Sequence, residues 1–344
     1  MLDASRAGLD RDGLLATVAR LYYEEGLTQA DIASQIHTSR STVSRLLQEA
    51  REAGIVRIVI DHPWSVVPQL EEQLVQEFGL RKAIVLTAAN RPYNEVLRGL
   101  GVLAAHYLES VLEQDMILGI NWGTGVYSTV QALRPNKGLS VIAVQVVGTV
   151  GAEDRSVDGP ELLGRLCSLY TARCRYLNAP LILQDISLRD GLLQEPSIRQ
   201  TLSLARRADI MLMGVGSTVP ERAALLRAGH IDREMLAELR SHGAVGDVCG
   251  HHFDIQGRVV ETPLSGRVVG IELDALDGVA HLIAVAGGRK KAKAILGALR
   301  GKYLNVLVTD SEAAKMVLAS RSRSRPSSEL GESVKQELDV TEKL

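Results

Sequence analysis

The sequence predicts an α/β protein in two parts: an N-terminal (winged) helix-turn-helix, then a mainly parallel, doubly wound domain. Three observations carry this. Residues 12 to 60 read as three short amphipathic helices and a strand, and from Lys82 to about Leu318 short aliphatic runs alternate with helical stretches. The length of 344 residues also exceeds one core of usual size and suits a small module plus a body of roughly 250 residues. The expected divisions are a helix-turn-helix domain at 1–61, a linker or oligomerisation helix at 62–80, the α/β domain at 81–318 and a disordered tail at 319–344.

The first helix places Leu14, Leu15, Val18, Leu21 and Tyr22 on one stripe. In "LTQADIASQI", Thr28 can cap a second helix whose first turn carries Asp31 and whose apolar side is Ala30, Ile32, Ala33 and Ile36. A tight turn at His37 and Thr38 follows. Ser39 then caps a third helix, in which Val43, Leu46, Leu47 and Ala50 fall at i, i+3, i+4 and i+7. The opposite face carries Arg40, Ser41, Ser44, Arg45 and Gln48, residue types that suit a major groove. Arg gives bidentate bonds to guanine, Gln pairs with adenine, and short hydroxyls allow close approach. "GIVRIVI" supplies a stop at Gly54 and a strand with Arg57 placed as a wing residue. The candidate DNA contacts are thus Ser39, Arg40, Ser41, Thr42, Ser44, Arg45, Gln48 and Arg57.

The competing reading is a plain αα-hairpin with a solvated face. Against it stand the spacing from Ala33 through the turn to Val43 and Leu46, and cations near the third helix's start without a Glu/Lys mixture. His37 occupies the turn position that usually holds Gly, and a left-handed backbone there costs about 1 kcal/mol or more. Residues 1 to 60 hold seven Arg, no Lys and eight acids, so the module is not basic as a whole. One copy should bind weakly, and pairing through a symmetric oligomer is expected.

After His62, Pro63 and Pro68 break the pattern, Leu70, Leu74 and Phe78 mark a short amphipathic helix. The aliphatic runs then are "KAIVL", "MILGI", "VIAVQVV", "CRYLNAP", "DIMLMGV", "RVVGIEL", "HLIAVAG" and "LNVLVTD". Near-continuous aliphatic strands separated by helices indicate a parallel sheet covered on both faces, with ligands at its carboxyl edge. Four strand-to-helix loops there are rich in small residues: "GINWGTGVYSTV", "VVGTVGAED", "MGVGSTVPE" and "VAGGRKKAKAI". The first sets Gly123, Thr124 and Gly125 before a helix, where N–H groups can hold an anion or sugar hydroxyls. The last adds Lys291. Glycines at such turns also arise for steric reasons alone, but four in one sheet with a cation nearby point to a polar, phosphorylated ligand.

Other chemistries find no support. There is no G-x-x-x-x-G-K-[ST] and no dinucleotide G-x-G-x-x-G spacing, so no cofactor is expected. "CGHHFD" has metal-type residues, but adjacent His251 and His252 in a Gly loop lack zinc spacing, and no metal is expected. Cys167, Cys174 and Cys249 form an odd set without C-x-x-C spacing, and reduced thiols are expected. Net charge is −2, and no apolar stretch is long enough to span a bilayer or to serve as a signal segment, so a cytoplasmic protein is expected. The final segment "SRSRSRPSSELGES" is polar and Ser-rich.

Taken together, from about Asp12 to Leu318 the chain resembles the SorC family of sugar-sensing bacterial transcription regulators. The resemblance rests on "LTQADIASQIHTSRSTVSRLLQEAREAGIVRI", "GINWGTG", "YLNAP", "ADIMLMGVGS", "GDVCGHHFDIQG", "RVVGIEL", "AVAGGRKKAKAILGAL" and "LNVLVTD", in the family's order. It implies an effector domain of the phosphosugar isomerase and deaminase type used for sensing, and assembly as a homo-tetramer or dimer. It also implies effector contacts at Thr124, Gly125, Asp247 and Lys291, with Lys291 neutralising a phosphate and Asp247 accepting from sugar hydroxyls. Gly148 stands at a loop position where some relatives carry a ligand contact. The expected partners are double-stranded operator DNA and a sugar phosphate or related polyol. The alternative, from another class, is a phosphosugar isomerase or deaminase-like enzyme; it draws on fold analogy, and no acid/base pair can be assigned.

Overall fold

The computed structural model describes residues 11–56, 64–88, 90–135, 138–151 and 154–320. The expected wing strand with Arg57 and the polar tail from residue 321 lie outside the described residues. The chain separates into two compact units, Met1–Pro63 and Trp64–Leu344.

In the first unit, α1 (Arg11–Tyr23), α2 (Gln29–Gln35) and α3 (Arg40–Glu52) form the three predicted helices. Thr28 caps α2 in a capping box: its side chain accepts from the Asp31 N–H, and Asp31 reaches back to the Thr28 N–H. Leu15, Val18, Ile32, Val43, Leu46, Leu47 and Ala50 are buried together. The predicted apolar stripes therefore meet in one core. His37 adopts φ 53°, the left-handed turn that the spacing requires. Arg11 makes a two-point ion pair with Glu49 at 2.9 and 2.5 Å, joining α1 to α3.

The second unit opens with α4 (Pro68–Phe78), which packs on the body through fully buried Leu74. Then follow β1 (Lys82–Leu86), α5 (Tyr93–Val111), β2 (Ile117–Ile120), α6 (Thr124–Ala132), β3 (Ser140–Gln145), α7 (Gly159–Leu169) and β4 (Thr171–Arg175). Beyond these come α8 (Ile186–Gln194), α9 (Pro196–Ala205), β5 (Ile210–Met213), α10 (Ala224–Arg227), α11 (Arg233–Ser241), β6 (Gly246–Val248) and β7 (His251–Phe253). The unit closes with β8 (His281–Val285), α12 (Ala292–Arg300), β9 (Val306–Asp310) and α13 (Ser311–Ala319).

Seven strands form one parallel sheet in the order β1-β9-β8-β5-β2-β3-β4. Alternate residues of one strand face opposite layers: Ile210 and Leu212 of β5 join the core beneath α5, α6 and α7, while Met211 and Met213 join the core beneath α9, α11, α12 and α13. That two-sided burial is why the strands read as continuous aliphatic runs. The chain leaves β2 toward β3 on one side and returns to β5 on the other. The β2/β5 boundary is therefore the switch point, where a doubly wound sheet opens a crevice at its carboxyl edge.

Three expectations need correction. "RVVGIEL" is not a sheet strand; it makes isolated bridges, Val268 with Ile182 and Gly270 with Val147. In the run from Cys174 the strand begins earlier, at Thr171, and ends at Arg175. His251 and His252 lie not in a loop but in the antiparallel β6–β7 hairpin, whose turn residues Cys249 and Gly250 both have positive φ, 54° and 83°. Positive φ at both central residues suits a two-residue hairpin turn, and Cys249 masks it because Asn or Asp usually stands there. The thiols are corrected as well: Cys167 and Cys174 form a disulfide, with Cα atoms 6.3 Å apart, because the chain turns back directly from α7 into β4. Cys249 is free and buried.

Candidate effector crevice and nucleic-acid interface

At the switch point the loops after β2, β5 and β8 converge. The crevice is lined by Asn121, Trp122, Gly123, Thr124 and Gly125 from the first, Gly214, Val215 and Gly216 from the second, and Val285 and Lys291 from the third. Asp247 and Cys249 from the hairpin, Ala224 and Arg227 from α10, and Val157 complete it.

Each wall has a physical cause. Gly123 caps α6 with φ 113°, and its N–H donates to the Val157 carbonyl at 2.9 Å. Thr124 and Gly125, in the first turn of α6, line the crevice, and N–H groups of a first helical turn have no intrahelical acceptors. Gly125 is glycine for close approach, since a Cβ there would lie 2.4 Å from the Val285 carbonyl oxygen. Gly216 makes room for the Asp247 carboxylate, which a Cβ would meet at 1.8 Å. The Gly216 N–H donates to the Asp247 carbonyl at 2.8 Å, fixing the hairpin beside the loop after β5. Asn121 orders its own loop, accepting from the Trp122 N–H at 2.8 Å.

Lys291 donates from Nζ to the Val215 carbonyl at 2.6 Å. An ammonium has three donors, so two remain for a ligand. Burial pulls this amine from its ordinary 10.5 down to about 8; nearby Asp247 opposes the shift, and Arg227 and Arg222 add to it. It is therefore mostly protonated at neutral pH. Burial also pushes the Cys249 thiol up to about 12, with Asp247 adding to the effect, which keeps it neutral. His252 is held below its usual range, first by burial, so it too is uncharged. The crevice thus presents a cation pair, one carboxylate, and helix N–H groups: a cradle for an anion joined to hydroxyls.

Five of the six effector residues expected from the sequence, Gly123, Thr124, Gly125, Asp247 and Lys291, come together here. Gly148 does not line the crevice. Its N–H donates to the Val269 carbonyl at 2.8 Å, and a Cβ would lie 2.4 Å from the Pro180 carbonyl oxygen, so packing accounts for the glycine. Arg227 escaped the sequence reading. It stands eleven residues beyond Gly216, on a four-residue helix with no periodic signal. Arg222 nearby stacks on the Tyr93 ring, 3.6 Å from its centroid.

In the first unit, Arg40, Ser41, Ser44, Arg45 and Gln48 lie exposed on α3, opposite its buried stripe. Ser39 is also exposed, but its hydroxyl accepts from the Thr42 N–H at 3.1 Å and pairs with the Thr42 hydroxyl at 2.9 Å. Ser39 thereby caps the helix, and its hydroxyl also pairs with that of Ser41 at 2.8 Å. Gln48 donates to Glu52 at 2.9 Å. Thr28 and Gln29 at the start of α2 border a shallow groove with Arg40.

Comparison with known proteins decides the family. Residues 63–319 match the family model described as "Putative sugar-binding domain", and residues 11–71 match the "Crp-like helix-turn-helix domain". The sorbitol operon regulator of Klebsiella pneumoniae is 33% identical over 308 residues, covering 89% of this chain and 97% of that protein. The chain belongs to the SorC family. The crystal structure of full-length SorC from Klebsiella pneumoniae superposes with a TM-score of 0.70 at 32% identity, covering 90% of this chain and all of that one. The deoxyribonucleoside regulator of Bacillus subtilis (strain 168) is 32% identical over 309 residues, 90% of this chain and 98% of that protein. A transcriptional regulator LsrR from Enterobacter is 34% identical over 313 residues, 90% and 94%. This SorC family member is an effector-controlled, DNA-binding transcriptional regulator. No helix among its described residues is long and apolar enough to cross a membrane.

Proposed function

We propose that the effector is a sugar phosphate or related polyol, and that its occupancy of the β2/β5 crevice sets operator affinity for a carbohydrate catabolic operon. The convergence of Lys291, Arg227 and Asp247 on the first turn of α6 carries this reading. The cations and helix N–H groups neutralise phosphate, while the carboxylate accepts from hydroxyls. The relatives are named a sorbitol operon regulator and a deoxyribonucleoside regulator, which supports a ligand of the polyhydroxylated class. The same crevice binds without turnover in this proposal, in keeping with relatives named as regulators.

On α3, Arg40, Arg45 and Gln48 read or clamp the operator with Ser41 and Ser44, while Ser39 caps the helix and Thr42 lies beside it at the helix start. Arg57 contacts the backbone in the same proposal. The protein works in the cytoplasm as a homo-tetramer or dimer, because one copy of a module with more acids than arginines binds DNA weakly. Ligand binding need only favour one arrangement of subunits to misplace the half-sites.

A thermal-shift panel of phosphorylated and free sugars tests the proposal. A phosphorylated ligand should raise the melting temperature of the full chain and change its operator affinity. Turnover of any sugar phosphate in that panel would contradict the non-catalytic reading.

A further inference from the structure

We propose that Cys167 and Cys174 form a thiol-exchangeable disulfide that makes the effector domain responsive to oxidant. The pair joins the last turns of α7 to β4, with Cα atoms 6.3 Å apart, inside the 4.4 to 6.8 Å range that a disulfide tolerates. β4 is an edge strand with β3 as its neighbour in the sheet. One flank of the sheet is thus held covalently to the helix that covers it.

Access favours exchange over permanence. Both cysteines are half-buried, and Cys174 lines an open cavity with Arg175, Tyr176, Asn178, Ser197 and Thr201. A small thiol or hydroperoxide can reach the sulfur there. Where a compartment keeps thiols reduced, such a pair acts as a sensor rather than a staple.

The tie also has a readout in the fold. Asp158, at the N-terminus of α7, accepts from the Val150 and Gly151 N–H groups at 3.0 and 2.7 Å, and the adjacent Val157 lines the effector crevice. The segment after β4 holds the same loop from the other side. Thr149 donates to the Ala179 carbonyl at 2.7 Å, and Leu181 donates to the Thr149 carbonyl at 2.9 Å. The two elements that the disulfide joins therefore grip one loop beside the crevice.

The chemistry balances with a named oxidant. Two thiols give up two protons and two electrons to an organic hydroperoxide, which leaves as an alcohol and water. In reverse, a glutathione thiolate attacks the Cys174 sulfur, Cys167 departs as thiolate, and a second glutathione resolves the mixed disulfide.

The test uses the full chain equilibrated in graded mixtures of reduced and oxidised glutathione, then denatured, alkylated and weighed by mass spectrometry. At the oxidising end only Cys249 should take up label; at the reducing end all three cysteines should. Amide exchange of the native chain is measured at both ends. Reduction should speed exchange severalfold over residues 171–181 and 148–151, and a Cys167→Ser, Cys174→Ser chain should exchange at the fast rate in either buffer. Three labelled cysteines at every ratio, bonds formed between chains, or equal exchange in the two states would each overturn the proposal.

Discussion

Lys291 gives the sharpest prediction about the crevice. Its ammonium titrates at about 8, so it is about 90% protonated at pH 7 and about 10% at pH 9. The protonated form attracts phosphate, whose second ionisation is complete below this window. Affinity for a sugar phosphate should therefore fall about tenfold between pH 7 and 9, most of it above about pH 8. Lys291→Met keeps length and removes the charge. It should weaken binding at pH 7 by about 2 kcal/mol or more, roughly 30-fold, as expected when one partner of a desolvated charge pair is lost. It should also abolish the pH slope. Isothermal titration calorimetry of both chains, with the sugar phosphate that gives the largest thermal shift, measures these values. A wild-type affinity that is flat from pH 7 to 9, or a variant that keeps the wild-type slope, would refute the role given to Lys291.

Further outcomes follow from the same geometry. Gly216→Ala would set a Cβ 1.8 Å from the Asp247 carboxylate and should turn it aside, lowering effector affinity at least about tenfold on calorimetry, the loss expected for an unmade charge-assisted bond. Gly125→Ala presses on the Val285 carbonyl instead and should destabilise the second unit by about 1 to 3 kcal/mol, read as a melting temperature several degrees lower. Ser39→Ala removes a helix cap and should cost the first unit about 1 kcal/mol in urea unfolding. Arg40→Ala and Arg45→Ala should leave that stability within about 0.5 kcal/mol. Each should weaken operator binding, and a residue that contacts phosphate should lower the salt slope by about 1.

Period and residue type made much of the fold legible. The aliphatic runs of β1, β2, β3, β5, β8 and β9 are buried on both faces, so each announces itself without needing its neighbours. The three-helix module was legible for the complementary reason: its apolar residues fall at helical spacing, with Thr28 and Ser39 standing at the caps. The hairpin was hidden because three-residue strands carry no period and Cys249 occupies a left-handed position. "RVVGIEL" misled because burial alone makes an aliphatic run, whether or not a sheet neighbour pairs with it. In the crevice, residues next to strand ends were legible through glycine-rich loops and the family resemblance. Arg227 was not, since only the path of the chain after β5 brings it back. The Cys167–Cys174 bond likewise depends on the tight return from α7 into β4, which spacing does not specify.

If occupancy of the β2/β5 crevice changes DNA binding, operator affinity measured with and without ligand must differ. Operator fragments are selected from genomic DNA with the full chain, and binding is followed by fluorescence anisotropy at fixed salt. Saturation with the stabilising sugar phosphate should change the wild-type dissociation constant about 5- to 150-fold, a coupling of about 1 to 3 kcal/mol. At the same ligand concentration the change in operator affinity of Lys291→Met should be several-fold smaller. Equal wild-type operator affinity with the crevice empty and filled would contradict control of DNA binding by the crevice.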